Sequence, residues 1–115
     1  MTVLQEANAI SEGNRRLLGE VSAAVHRLVP DATVLLYGSV ARGTSGPESD
    51  YDILILTEGE LARAEEDVIR GAVYQLETAK DAVVSMLFCS KGEWESPISR
   101  ITPFYKAVNR EAVAL

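Results

Sequence analysis

A chain of 115 residues with 47% hydrophobic content is one domain with room for a modest core. Eleven basic against seventeen acidic residues leave a net charge of −6, which argues against a nucleic-acid surface, because phosphate binding draws on clustered Lys and Arg. There is no apolar run of about eighteen residues and no basic region followed by a hydrophobic one at the N-terminus, so neither a membrane span nor a signal peptide is indicated. The single cysteine, Cys89, cannot form an internal disulfide, and the expectation is a cytoplasmic protein.

Residues 3 to 29 read as helix, with Leu17, Val21, Ala24 and Leu28 on one face and Gly13 as a break that would divide the segment. Pro30 ends it and leads into an apolar strand over Val34 to Tyr37. His26 has no Cys or second His to complete a metal set and reads as an ordinary surface or half-buried residue. A second strand runs over Ile53 to Leu56, whose branched side chains suit burial. Leu61 to Lys80 shows a helical period, with Leu61, Ala64, Val68, Ala72, Leu76 and Ala79 as the buried stripe. Glu60, Glu65, Glu66 and Asp67 crowd its early turns as a solvated face that suits the helix dipole. Ala82 to Cys89 is a third strand, with Val83, Ser85, Leu87 and Cys89 on one face and Val84, Met86 and Phe88 on the other. Cys89 reads as an inert buried thiol. Ser96-Pro97 and Thr102-Pro103 each read as an N-cap followed by proline at the first helical position, so two short helical turns are expected in place of one long helix. Trp94 is either a lid over the core or a base-stacking platform. Together these elements make a small α/β (α+β) domain, a mixed sheet of three to five strands with helices packed on it.

The chemistry lies between the first two strands. Side chains two apart on a strand project to one face, so Asp50 and Asp52 can point together into one small volume. Two carboxylates so placed repel one another unless a cation sits between them, and hard oxygen ligands of this kind suit Mg²⁺ or Mn²⁺ completed by water and substrate phosphates. Gly38 and Ser39, at a tight strand-to-helix turn, let backbone N–H groups approach a phosphate, and Arg42 one helical turn on adds a guanidinium fork.

Gly38-Ser39, ten intervening residues and Asp50-x-Asp52 resemble the signature of the DNA polymerase β-like nucleotidyltransferase superfamily. The wording Gly-Ser-x-Ala-Arg-Gly followed by Ser-Asp-x-Asp is similar to its minimal nucleotidyltransferase branch. The resemblance implies a palm-like domain spanning residues 1–115 and Mg²⁺-dependent transfer of a nucleoside monophosphate, AMP from ATP, to an acceptor with release of pyrophosphate. It implies that Gly38, Ser39 and Arg42 bind the nucleotide, and that Asp50 and Asp52 are both catalytic carboxylates and metal ligands. Members of this branch resemble antitoxins that pair with small all-helical ribonucleases, so a toxin-like helical partner is implied, with a homodimer or hetero-oligomer supplying the wall that so small a domain lacks. The ending from Pro103 to Leu115 looks like that of small standalone members, which suggests a complete chain whose Glu111-Ala112-Val113 segment lies near the sheet.

In one respect the chain departs from the family pattern. The superfamily's full catalytic set has three carboxylates, the third on a later strand, and the strand from Ala82 to Cys89 contains no Asp or Glu. Ser85 falls at the matching position; Glu77 and Asp81 flank the strand and could substitute only through an unusual bend. Without the third carboxylate, nucleotide binding survives while transfer slows. The alternative is therefore a catalytically degenerate nucleotide- or partner-binding module. The acceptor stays open among a protein side chain, an RNA end and a small molecule.

Overall fold

Alternation along the apolar runs divides the core between the two faces of one sheet. The computed structural model describes residues 2–46 and 50–115. Among them the strands are β1 (Thr2–Val3), β2 (Thr33–Tyr37), β3 (Tyr51–Thr57), β4 (Val84–Ser90) and β5 (Val113–Ala114), in the spatial order β1-β5-β2-β3-β4. The helices are α1 (Glu12–Leu28), α2 (Gly38–Arg42), α3 (Arg63–Lys80), α4 (Lys91–Trp94), α5 (Pro97–Arg100) and α6 (Pro103–Glu111). β3 is antiparallel to β2 and parallel to β4, while β5 is antiparallel to β2 and parallel to β1. This is the small mixed α/β sheet the sequence leads one to expect.

Ile53 and Ile55 of β3 pack with Leu18, Val21 and Val25 of α1 and with Ile69 and Val73 of α3. Leu54 and Leu56 point the other way, into a cluster with Leu35, Trp94 and Val108. Each fully buried aliphatic side chain of this kind contributes about 1.5–3 kcal/mol relative to exposure. The central strand is thus clamped on both faces, which fixes the register of the residues at its head.

Three expectations are corrected. The N-terminal third of the segment from residue 3 is not helical: Thr2–Val3 pairs with β5, Leu4–Glu6 makes a 3-10 turn, and α1 starts where Ser11 accepts a hydrogen bond from Asn14 N at 3.2 Å. The guanidinium of Arg15 donates to the carbonyls of Leu4, Ala7 and Ile10, which satisfies backbone that a helix would otherwise have paired. Gly13 lies in the first turn of α1 and breaks nothing. Secondly, Leu28 is 43% exposed, because Leu18 and Val25 fill its share of the buried face. Thirdly, α3 begins at Arg63 and turns Ile69 and Val73 inward; Val68 is 58% exposed and Ala64 and Ala79 also face solvent, with Leu61, Ala72 and Leu76 half-buried. The sequence carries two apolar rows one position apart, and the row with the bulkier branched side chains takes the core.

The C-terminal expectations hold. Ser96 and Thr102 cap α5 and α6 by accepting from Ser99 N and Tyr105 N, each with proline in the first turn. α4, capped by Ser90, is a further turn before them. β4 shows the expected two faces, with Met86 and Val84 buried and Leu87 exposed. Trp94 is buried, 6% exposed, with ring centroids 5.7 Å from Phe104 and 4.8 Å from Tyr105, so it is the lid of the second core and not a base platform. His26 is held by Ser22 and by the carbonyl of Ala32, a tie between α1 and the turn into β2. No helix among the described residues is long and apolar enough to cross a membrane.

Candidate active site

β2 delivers the chain to Gly38, which adopts φ +78°, a left-handed conformation that glycine takes without penalty. A Cβ at this position would overlap Asp52 Oδ2, with Asp52 Cγ only 3.2 Å away. Glycine is therefore required twice, for the backbone angle and for the carboxylate laid against it. The turn closes at Gly43, φ +75°, whose N–H donates to the carbonyls of Ser39 and Val40. A Cβ there would meet Ala9 Cβ at 2.8 Å.

The sheet register sets the neighbours of Asp52. Tyr37 of β2 stands opposite it on one side and Ser85 of β4 on the other. In-register partners share a face, so Tyr37, Asp52 and Ser85 form a row on the side of the sheet covered by α4, α5 and α6. Burial pushes the Asp52 carboxyl above the usual carboxylate range, the charge of Asp50 adds to this, and Arg42 opposes it. Burial and the Asp52 charge likewise raise the Tyr37 phenol, whose ring sits edge-on to Phe104 at 5.3 Å.

Of the residues singled out in the sequence, Gly38, Asp52, Asp50 and Arg42 converge at this end of β3. Ser39 follows Gly38 in the turn, its carbonyl accepting from Thr44 N at 3.0 Å. Ser49, which opens the Ser-Asp-x-Asp wording, lies outside the described residues. Asp50 also lines an open cleft of about 930 Å³ beside Asn14, Arg16, Tyr51, Lys80 and Asp81. Two hard carboxylates whose charges disfavour one another are a donor set that fits Mg²⁺ or Mn²⁺, which take one or two carboxylates and complete their shell with water and phosphate. No group of three or more His, Cys, Asp or Glu suited to a metal ion occurs among the described residues.

Ser85 is the partner of Asp52 across the β3–β4 pair, the place of the third carboxylate in the family pattern. Neither flanking acid stands across from Asp52 in the strand register. Glu77 Oε2 accepts from Val84 N at 2.9 Å, which ties it to the backbone of β4. Asp81 ends α3 in a left-handed conformation, φ +52°.

Glu111 was not anticipated. It ends α6, immediately ahead of Ala112 and β5, and its Oε1 accepts from Gly38 N at 3.3 Å. Arg42 Nη1 donates to both of its oxygens, at 3.2 and 3.1 Å. The sequence signal was the expectation that the Glu-Ala-Val segment lies near the sheet; a contact across 69 residues is set by the placement of β5 beside β2 and has no local signature.

Comparison with curated protein sequences returns no match. The family model for the nucleotidyltransferase domain matches residues 18–107, from α1 through the turn, β3 and β4 into α6. That span covers most of the chain and the whole convergence of Gly38, Arg42, Asp50 and Asp52, and it fits the polymerase β-like superfamily: the chain belongs to the nucleotidyltransferase domain family.

Proposed function

We propose that this chain transfers a nucleoside monophosphate, AMP from ATP, to an acceptor hydroxyl. The observation that carries the proposal is the close approach of Gly38 to Asp52, which sets a backbone N–H able to meet a phosphate beside carboxylates able to hold its counter-ion. In this reading Gly38 N–H, Ser39 and Arg42 orient the triphosphate, and Asp50 and Asp52 hold Mg²⁺ or Mn²⁺. The bound metal would supply charge neutralisation on the phosphates. A new O–P bond forms from the acceptor hydroxyl to the α-phosphorus as the α–β bridging P–O bond breaks, pyrophosphate leaves with the bond's electron pair, and the hydroxyl proton passes to solvent water. Rate enhancement comes from positioning and electrostatics, with no covalent intermediate on the protein.

Resemblance to the minimal branch supports the finer reading, in which the acceptor is a hydroxyl of a small all-helical ribonuclease that this chain pairs with as an antitoxin in the cytoplasm. Partner or second copy would then complete the wall of the site. A second reading, a nucleotide- or partner-binding module without turnover, is favoured by Ser85 standing across from Asp52 where a proton-accepting carboxylate would be needed. Calorimetric titration of ATP with and without Mg²⁺, on the natural chain and on Asp50→Asn plus Asp52→Asn, tests the site. Binding should need both metal and carboxylates; equal binding by the double variant refutes the assignment. Metal-dependent pyrophosphate release from ATP would separate the transferase from the binding module.

A further inference from the structure

The donors assigned to the triphosphate are already engaged. The Gly38 N–H and the Arg42 guanidinium both donate to the one carboxylate of Glu111, a planar anion with two oxygens in the geometry that a phosphate edge would present. The side chain of Glu111 is 16% exposed and that of Arg42 49% exposed, so the pair is anchored at its glutamate end and open to solvent at its arginine end. Its backbone is fixed as well. Ala112 N donates to Val108 O at 2.8 Å, and Val113 and Ala114 continue into the sheet beside β2.

We propose that Glu111 is a competitor built into the chain, which occupies the triphosphate cradle and must swing out of it for nucleotide to bind. The proposal rests on the assignment of Gly38 and Arg42 to the triphosphate and concerns how that site is regulated. Gly38 has a single N–H, which cannot serve carboxylate and phosphate in full at once. A triphosphate oxygen set beside an unmoved Glu111 would also face a like charge in a half-buried place. With α6 and β5 anchored, the displacement is a rotation of the Glu111 side chain. The empty cradle is thereby kept satisfied, and weak or singly charged anions are excluded, since only a highly charged ligand gains enough from Arg42 and Gly38 to replace the resident carboxylate.

The test is titration of Mg²⁺-ATP and of inorganic tripolyphosphate into the natural chain, Glu111→Gln and Glu111→Ala. Removing the charge should tighten binding of Mg²⁺-ATP about tenfold, the size of one charge-assisted contact no longer displaced, and of the more highly charged tripolyphosphate by more. Equal affinity in all three proteins overturns the competitor while leaving the nucleotide assignment intact. Weaker binding by the variants also overturns it and makes Glu111 a positioning residue for Arg42. Absence of binding to every protein overturns both together. A measurement without substitution guards against misfolded variants: on saturation of the natural chain with tripolyphosphate, the Glu111 carboxyl-carbon NMR resonance should move to that of a free glutamate. A resonance that stays in place refutes the displacement.

Discussion

Gly38→Ala probes the site at its tightest contact. The substitution forces alanine into a left-handed angle, φ +78°, at a cost of about 1–2 kcal/mol. Its Cβ also overlaps Asp52 Oδ2, and since Cγ is 3.2 Å and Cβ 3.5 Å away the whole carboxylate end must turn. Pushing that short side chain off its rotamer adds about 0.5–1.5 kcal/mol. The sum, about 1.5–3.5 kcal/mol, corresponds to a fall in Tm of about 6–14 °C for a domain of this size. Thermal and urea denaturation measure it. The two contributions separate in an Asp52→Ala background, where nothing remains for the new Cβ to strike; there the cost should shrink to the backbone share, about 1–2 kcal/mol. Mg²⁺-dependent ATP binding should be lost in Gly38→Ala even where the protein is fully folded, because the carboxylate no longer points where it did. A Gly38→Ala cost that is the same in both backgrounds, or a variant that binds ATP normally, would refute the reasoning. Gly43→Ala is the control, since it shares the positive φ but meets Ala9 and not the carboxylate.

Two further outcomes follow from the same row of residues. Because the Asp52 carboxyl is raised in the folded state, by burial first and by Asp50 second, ionising it is harder there than in the unfolded chain. That penalty is fully present above the folded pKa and vanishes below the unfolded value near 4. In EDTA, Asp52→Asn should therefore raise Tm by a few degrees at pH 7 and leave it unchanged near pH 3.5; a gain that persists into acid would contradict the electrostatic cause. Ser85→Asp places a carboxylate directly across from Asp52. It should lower stability in EDTA by about 0.2–1 kcal/mol through like-charge repulsion, and millimolar Mg²⁺ should restore more Tm than it does in the natural chain. A Tm indifferent to Mg²⁺ in this variant would show that Asp52 and position 85 do not share an ion.

The parts of the site written in consecutive residues were legible. Gly38, Arg42, Asp50 and Asp52 lie within one strand–turn–strand unit, so turn chemistry and chain continuity lead one to expect them near one another. Asp50, however, precedes β3 and lines one cleft with Tyr51, from which alternation would have turned it away. Ser85 was legible for a related reason: β4 is one uncharged run whose two faces alternate cleanly, and sliding it beside β3 puts position 85 against Asp52. What could not be read were effects decided by competition. Two apolar rows of α3 differ by one position, and the packing of Ile69 and Val73 settles between them. Val3, β-branched like Thr2 before it, leaves the expected helix and joins Thr2 in pairing with the strand edge that β5 offers. Glu111 depends on that same placement, since β5 between β1 and β2 carries the end of α6 to Gly38.

The charges around the turn also constrain what can enter it. Asp52 feels both Asp50 and Arg42, and Arg42 is paired with Glu111, in a chain whose net charge is already −6. A metal-free triphosphate brings several further negative charges to a turn whose Arg42 is already paired with Glu111. Coulomb repulsion among such groups in a half-buried place is screened far less than on an open surface. Metal-free ATP should therefore bind the natural chain more weakly than Mg²⁺-ATP, and removing Glu111 should help it proportionally more, because the complexed nucleotide carries less charge to repel. The ratio of those two gains is set by charge alone. Were Glu111→Gln to improve both forms of ATP equally, the effect would come from freed hydrogen-bond donors and not from relieved repulsion.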